Sequence, residues 1–212
     1  MALRPYEQTR HIYLNELIYQ SEIVDAGIAR IKAAISSESQ LAGVEDRANA
    51  RQNLVELGAG IQSVLGAGAL ASKILRPVNN SGKWAEGRGD DLRATLALDD
   101  DLLNSRAVRD SLEHYDERLD TFTKKDYNTF VMTPWMVMSQ NTPLGNGNDR
   151  PILRSIDPKT LTVRLPGREP KPGEDDSAGE GVMLSLYALQ ESLHDVRRSA
   201  ERALGIAETD AS

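Results

Sequence analysis

The stretch from Tyr13 to Ile35, YLNELIYQSEIVDAGIARIKAAI, decides the fold that this sequence predicts. Its apolar residues return every three or four positions, which is the spacing of one face of an α-helix. They are Tyr13, Leu17, Ile18, Val24, Ile28, Ile31 and Ile35. The pattern predicts one long helix from about Pro5 to Ser36, where a Ser-Ser-Glu-Ser run interrupts it.

Further helices are predicted on both sides of a β-like region. A second helix spans about Val44 to Leu75, because Pro77 cannot continue a helix. The glycine-rich stretch from Val78 to Gly89 is predicted to be a loop. Three more segments carry apolar residues at helical spacing. They are Asp90 to Leu103, Asn104 to Phe122 and Val182 to Leu204.

The second helix contains four glycines, at positions 58, 60, 66 and 68. A dinucleotide-binding loop must follow a strand and open a helix, and a P-loop also needs a lysine at a fixed position. Neither pattern is present. The glycines are therefore predicted to let two helix backbones approach closely.

The β-like region includes a predicted hairpin from Ile152 to Leu165, with a turn at Asp157-Pro158-Lys159-Thr160. The stretch from Tyr127 to Ser139 also has strand character. We therefore expect one mainly α domain over residues 1–212, an up-and-down bundle of four to five helices. Its helical core is predicted at about 5–123 and its hairpin elaboration at 127–166. A linker at 167–181 and a C-terminal helix at 182–205 follow.

Composition narrows the class of protein. The chain has 212 residues, of which 40% are hydrophobic and 27% charged, and this is normal for a soluble globular protein. It contains no cysteine, which excludes disulfides and thiolate metal sites and suits a reducing cytoplasm. The net charge of −7 argues against a nucleic-acid coat protein but permits an enzyme that touches a few phosphates. No membrane association is expected.

The richest chemistry lies in the fourth predicted helix, where Arg109, Asp110 and His114 fall within six residues. Asp110 and His114 are one turn apart on one face, so the carboxylate can orient the imidazole. His114 lies about 120° from the centre of the apolar stripe and faces away from the core. Such a set is suited to RNA transesterification without a metal, because histidine moves protons and arginine stabilises a phosphorane-like transition state.

The run from Val108 to Leu119 resembles the signature of HEPN domains, in which an arginine and a following polar residue precede a histidine by four to six positions. The resemblance implies a helical bundle that forms a homodimer with two motifs in one cleft, and a metal-independent endoribonuclease of toxin–antitoxin or phage-defence systems. It implies catalytic roles for Arg109, Asp110 and His114, RNA contacts from Arg106 and Arg118, and a possible antitoxin or defence partner. No cofactor or metal is expected.

Two alternatives remain open from the sequence. The domain can be an inactive HEPN-like interaction or nucleotide-binding regulatory module, which the negative charge and the unmatched C-terminal region favour. The motif can also be a solvated helix face, in which Arg109–Glu113 and Asp110–His114 are stabilising pairs.

The remaining chemistry-bearing residues are predicted to be structural. His11 and His194 are expected at the surface or an interface, and no two histidines have metal-ligand spacing. The acidic run from Asp99 to Asp101 is expected to be charge at a helix junction. Trp84, placed in a loop, and Trp135, placed in a strand, have rings that can stack on bases, although core or interface packing is the expectation.

Overall fold

The computed structural model of the protein describes residues 8–41, 47–77, 82–98, 135–138, 154–165 and 182–206. Within these ranges it is mainly helical, with four helices and a small four-stranded sheet, and this confirms the prediction of a mainly α protein. The helices are α1 (Arg10–Leu41), α2 (Arg47–Leu75), α3 (Lys83–Leu96) and α4 (Leu186–Leu204). The strands are β1 (Met136–Val137), β2 (Ser155–Ile156), β3 (Thr162–Leu165) and β4 (Val182–Ser185).

Helix α1 is the centre of the helical part and contacts α2, α3 and α4. Its apolar face is almost completely buried, as the spacing of these residues predicts. The buried residues of that face include Leu14, Leu17, Val24, Ile28 and Ile31. The helix continues beyond its predicted end at Ser36 to Leu41. Within it, Ser37 Oγ donates to the carbonyl oxygen of Ala33, 2.9 Å away, so this hydroxyl is satisfied by the helix backbone.

Both α2 and α4 run antiparallel to α1. Gly27 of α1 lies against Val64, whereas Ile31, one turn later, lies against Gly60, an earlier residue of α2. The contacts between α1 and α4 follow the same reversed order. They are Glu22 with Arg197, Asp25 with His194, and Lys32 with Tyr187.

The backbones of α1 and α2 approach closely where Gly27 faces Gly60. A Cβ atom on Gly27 would lie 3.0 Å from the Gly60 carbonyl oxygen, and one on Gly60 would lie 3.0 Å from the Gly27 carbonyl oxygen. Side chains crowd the same positions, because the two Cβ atoms would lie 2.7 Å from Val64 Cγ2 and 2.8 Å from Ile31 Cγ1 respectively. The predicted close helix contact is confirmed at Gly60, whereas nothing lies within 4 Å of a Cβ atom on Gly66.

Helix α2 is also the one described helix that could cross a membrane by length and composition. The stretch is Ala48–Leu75, and half of its most apolar window is buried inside the fold. A core helix of a soluble protein passes the same test, so this is weak evidence for a membrane span.

Helix α3 corrects two predictions. It begins at Lys83, so the predicted loop from Val78 to Gly89 is wrong over its second half. It ends at Leu96 and not at Leu103, because Ala97 adopts a left-handed conformation with φ 49°. The glycines of this stretch led to the prediction of a loop, but Gly89 is a helical residue whose missing side chain allows α3 to pack closely against the end of α2. A Cβ atom on it would lie 2.7 Å from Pro77 Cδ and 2.9 Å from the Leu75 carbonyl oxygen.

Two arginines of α3 bind the C-terminal end of α2, at the junction of the two helices that we call the corner. Arg93 Nη1 donates to the carbonyl oxygen of Leu75, 2.5 Å away, and Arg88 Nη2 donates to that of Lys73, 3.2 Å away. The last carbonyls of a helix carry partial negative charge and lack backbone partners within the helix. The two guanidinium groups satisfy them and hold α3 across the end of α2.

The sheet is larger than the predicted hairpin. Strands β2 and β3 pair antiparallel around the Asp157 turn, which confirms the hairpin; Asp157 Oδ1 accepts from Lys159 N at 2.8 Å. Strand β1 pairs parallel with β2, and β4 pairs antiparallel with β3, in the order β1-β2-β3-β4. Inward residues are buried at alternate positions, such as Val163 and Leu165 of β3.

The C-terminal helix begins later than predicted. Val182 to Ser185 form β4, so the prediction of a helix from Val182 is wrong for these four residues. Ser185 marks the boundary, because its extended backbone ends the strand and its Oγ accepts from Ala188 N at 3.1 Å, a helix N-cap. The helix ends as predicted at Leu204, where Gly205 has φ 69° and closes the final turn.

Alanine at Gly60 should destabilise the fold, whereas alanine at Gly66 should stabilise it. Gly60→Ala forces a methyl group onto the Gly27 carbonyl, and we expect a loss of about 1–3 kcal/mol in unfolding free energy. Gly66→Ala meets open space and reduces the entropy of the unfolded chain, with an expected gain of up to about 1 kcal/mol. Urea unfolding of both variants measures this. Equal effects of the two substitutions would contradict the close helix contact.

Candidate functional site

The predicted ribonuclease residues lie outside the described part of the chain. They are Arg106, Arg109, Asp110, His114 and Arg118, and they fall in residues 99–134. The described residues fix the two ends of that segment. Leu98, after α3, packs against the core, and Trp135 is only 3% exposed and packs on Gly58 of α2. Leu98 and Trp135 are therefore the described residues that border the segment carrying the motif.

The two tryptophans have different environments. Trp135 Nε1 would lie 3.1 Å from a Cβ atom on Gly58, and the Arg154 guanidinium carbon lies 5.0 Å from the centre of a Trp135 ring. Core packing of Trp135 is thus confirmed. Trp84 instead lies in the first turn of α3 and is 43% exposed, so the prediction that it lies in a loop is wrong.

Trp84 belongs to a cluster with Tyr13 of α1 and Arg88 of α3, which we name the Trp84 cluster. The Trp84 and Tyr13 ring centroids are 6.2 Å apart with the rings tilted by 56°. The Arg88 guanidinium carbon lies 4.9 Å from the centre of the Tyr13 ring and 5.9 Å from that of Trp84. These are cation–π distances.

An ion pair joins α1 and α3, the two helices that carry the Trp84 cluster. Arg10 of α1 forms a two-point ion pair with Asp91 of α3, in which its Nε donates to Asp91 Oδ2 at 2.7 Å. Planar guanidinium and carboxylate groups match one another in this geometry. The exposed aromatic ring therefore lies beside an ion pair that joins α1 to α3.

A second polar cluster joins α1 to α4. Asp25 Oδ1 accepts from Gln190 Nε2 at 2.6 Å and lies 2.7 Å from His194 Nε2. This confirms that His194 is an interface residue. The side chains of Asp25 and His194 are each more than a third exposed, and their contacts link α4 to α1.

Charge and hydrogen bonding set the acidity of Asp25. Partial burial alone raises its pKa, but hydrogen bonds from Gln190 and His194 act in the opposite direction, together with the positive charges of His194 and Arg197. The result is that the pKa of Asp25 lies below its ordinary value. The ionised carboxylate is the form that this contact between α1 and α4 stabilises.

Among the described residues, no group of three or more histidines and acids is arranged to hold a metal ion. His11 is exposed near the start of α1, as expected. The sequence signal that would have found the Trp84 cluster is the four-residue spacing from Trp84 to Arg88, which places both on one face of α3. Tyr13 has no such local signal.

Comparison of the chain with family models, with curated proteins and with solved structures finds no match. The resemblance to HEPN domains therefore stays a prediction from the motif.

Asp25→Asn should lower stability at neutral pH and lose this effect in acid. Because the pKa of Asp25 is lowered by folding, its contribution is present above the unfolded-state pKa of about 3.9 and is lost as the pH falls through the lower folded-state value. The side chains are more than a third exposed, so we expect at most about 1 kcal/mol.

Urea unfolding of the wild type and Asp25→Asn between pH 3 and 7 measures this difference. Asp195→Asn is the matched control, because Asp195 lies on α4 beside His194 but pairs with the exposed Arg198. A stability difference that persists unchanged at pH 3 would contradict the assignment.

Proposed function

We propose that the protein is a metal-independent endoribonuclease of HEPN type, acting in the cytoplasm as a toxin or defence component. The observation that carries the proposal is the run Arg109-Asp110 with His114 on one predicted helix. The described fold is compatible with it, because a mainly helical domain with long antiparallel helices is the architecture that the motif implies.

The chemistry follows from the residue types. His114 of one protomer removes the proton of a ribose 2′-hydroxyl, whose oxygen attacks the adjacent phosphorus. The bond to the 5′-oxygen then breaks, and a protonated histidine donates a proton to that leaving oxygen. Arg109 stabilises the additional negative charge on the phosphorane, and Asp110 orients the imidazole. The products are a 2′,3′-cyclic phosphate and a free 5′-hydroxyl.

One histidine per motif requires a second copy for a complete acid–base pair, and a two-fold homodimer supplies it. Arg106 and Arg118 flank the motif and are assigned to phosphate contacts with the RNA. A toxin of this kind also implies a neutralising partner protein.

Histidine and arginine variants test the reaction. We expect wild-type protein to cleave a mixed RNA pool in excess EDTA, and His114→Ala and Arg109→Ala to lose at least about a hundredfold in rate. His11→Ala is the matched control, because this exposed histidine lies outside the motif. Cleavage that is equal in wild type and His114→Ala would disprove the assignment.

The oligomeric state is a separate prediction. Sedimentation equilibrium should give twice the mass of one chain, because each protomer contributes one of the two required histidines. An active protein that is monomeric at the assay concentration would contradict the shared cleft while leaving the cleavage chemistry in place.

The second candidate is an inactive helical interaction module. The observation that favours it is a pair of exposed apolar side chains on α1, Ile12 and Tyr19, which lie seven residues apart on one face. A folded dimer that shows no cleavage in the same assay would favour this function.

A further inference from the structure

Trp84 is the exposed tryptophan of the chain. Its indole lies in the first turn of α3 and is 43% exposed, whereas that of Trp135 is almost completely buried. Leaving much of a large aromatic ring in water forgoes hydrophobic stabilisation, which is why such rings concentrate at binding surfaces.

The ring is held in one orientation before any ligand arrives. Tyr13 packs beside it, and the Arg88 guanidinium group lies against both rings. Arg88 is fixed in turn, because its Nη2 donates to the Lys73 carbonyl oxygen at the end of α2. A preorganised ring loses little side-chain entropy on binding.

The charge around the ring favours a phosphate-bearing ligand. Lys83 precedes Trp84 and is exposed, and no described carboxylate pairs with Arg88. Of the acids on α3, Asp91 pairs with Arg10 and Asp90 pairs with Arg93, whereas Glu86 in the first turn is exposed. Exposed aromatic rings beside lysine and arginine form the combination with which proteins bind unpaired bases and their backbone.

We propose that the Trp84 cluster binds single-stranded RNA, with an unpaired base stacked on the indole of Trp84 and the adjoining phosphate near Lys83. The inference rests on the proposed function for its substrate class, and it adds a contact outside the catalytic motif. The exposed ring surface accepts any base, so this contact increases affinity for unpaired RNA without selecting a sequence.

The test measures binding separately from cleavage. Fluorescence anisotropy of a labelled 12-nucleotide single-stranded oligouridylate is recorded with His114→Ala protein, which leaves the RNA intact. Adding Trp84→Ala should weaken binding about tenfold or more, the effect of losing one stacked base. Trp84→Phe keeps a flat ring and should retain most of the affinity. Val55→Ala is the control, because Val55 is 54% exposed on α2 and lies outside the cluster.

Intrinsic fluorescence provides a second readout that does not depend on alanine variants folding. Saturating unlabelled RNA should quench the tryptophan emission of the Trp84-containing protein. It should leave the emission of Trp84→Phe unchanged, because the remaining Trp135 is buried.

RNA binding that is unaffected by Trp84→Ala, or absent altogether, overturns the proposal. Binding that depends on Trp84 in a protein without cleavage activity supports the RNA contact and removes the proposed catalytic function. If the wild type cleaves RNA and Trp84→Ala does not change binding, the proposed catalytic function is supported and the proposed RNA contact at Trp84 is removed.

Discussion

The close approach of α1 and α2 at Gly27 and Gly60 is the constraint on which the rest of the structure depends. At this point each backbone occupies the space that the other residue's Cβ would need, so neither helix can shift inward or carry a larger residue. The spacing between the two helices then determines how α1 presents its other surfaces. Helices α3 and α4 both pack against α1, so a larger residue at the glycine contact that displaced α1 would also disturb its contacts with α3 and α4.

Some polar side chains along α1 form ion pairs with neighbouring helices, whereas others belong to a cluster that is open to solvent. The Asp25–His194 pair and the Arg30–Glu56 pair connect α1 to α4 and α2, and their charges are satisfied within the fold. The Trp84 cluster at the N-terminal end of α1 differs, because its arginine has aromatic rings and a carbonyl oxygen as neighbours but no described carboxylate. Among the described contacts of α1, the Trp84 cluster is therefore the one that we propose binds a ligand.

The local sequence pattern predicted the buried face of α1 from its helical spacing, the end of α2 from Pro77, and the hairpin around Asp157 from its strand-like segments and turn residues. It failed where a distant contact reversed a local preference. Gly89 suggested a loop, yet its missing side chain admits Pro77 and keeps α3 helical. Val182 to Ser185 suggested the start of a helix, yet their pairing with β3 makes them a strand. The motif residues were identifiable from sequence, whereas the Trp84 cluster joins residues about seventy positions apart and required the fold.

The corner between α2 and α3 has a consequence for cleavage of the chain. The side chains of Arg88 and Arg93 hold it together by reaching the last carbonyls of α2, and Gly89 seats against Pro77. All of these contacts run through space, so the corner does not depend on the covalent link between the two helices. Cleavage of the backbone between Pro77 and Gly82 would therefore leave the junction of the two helices in place.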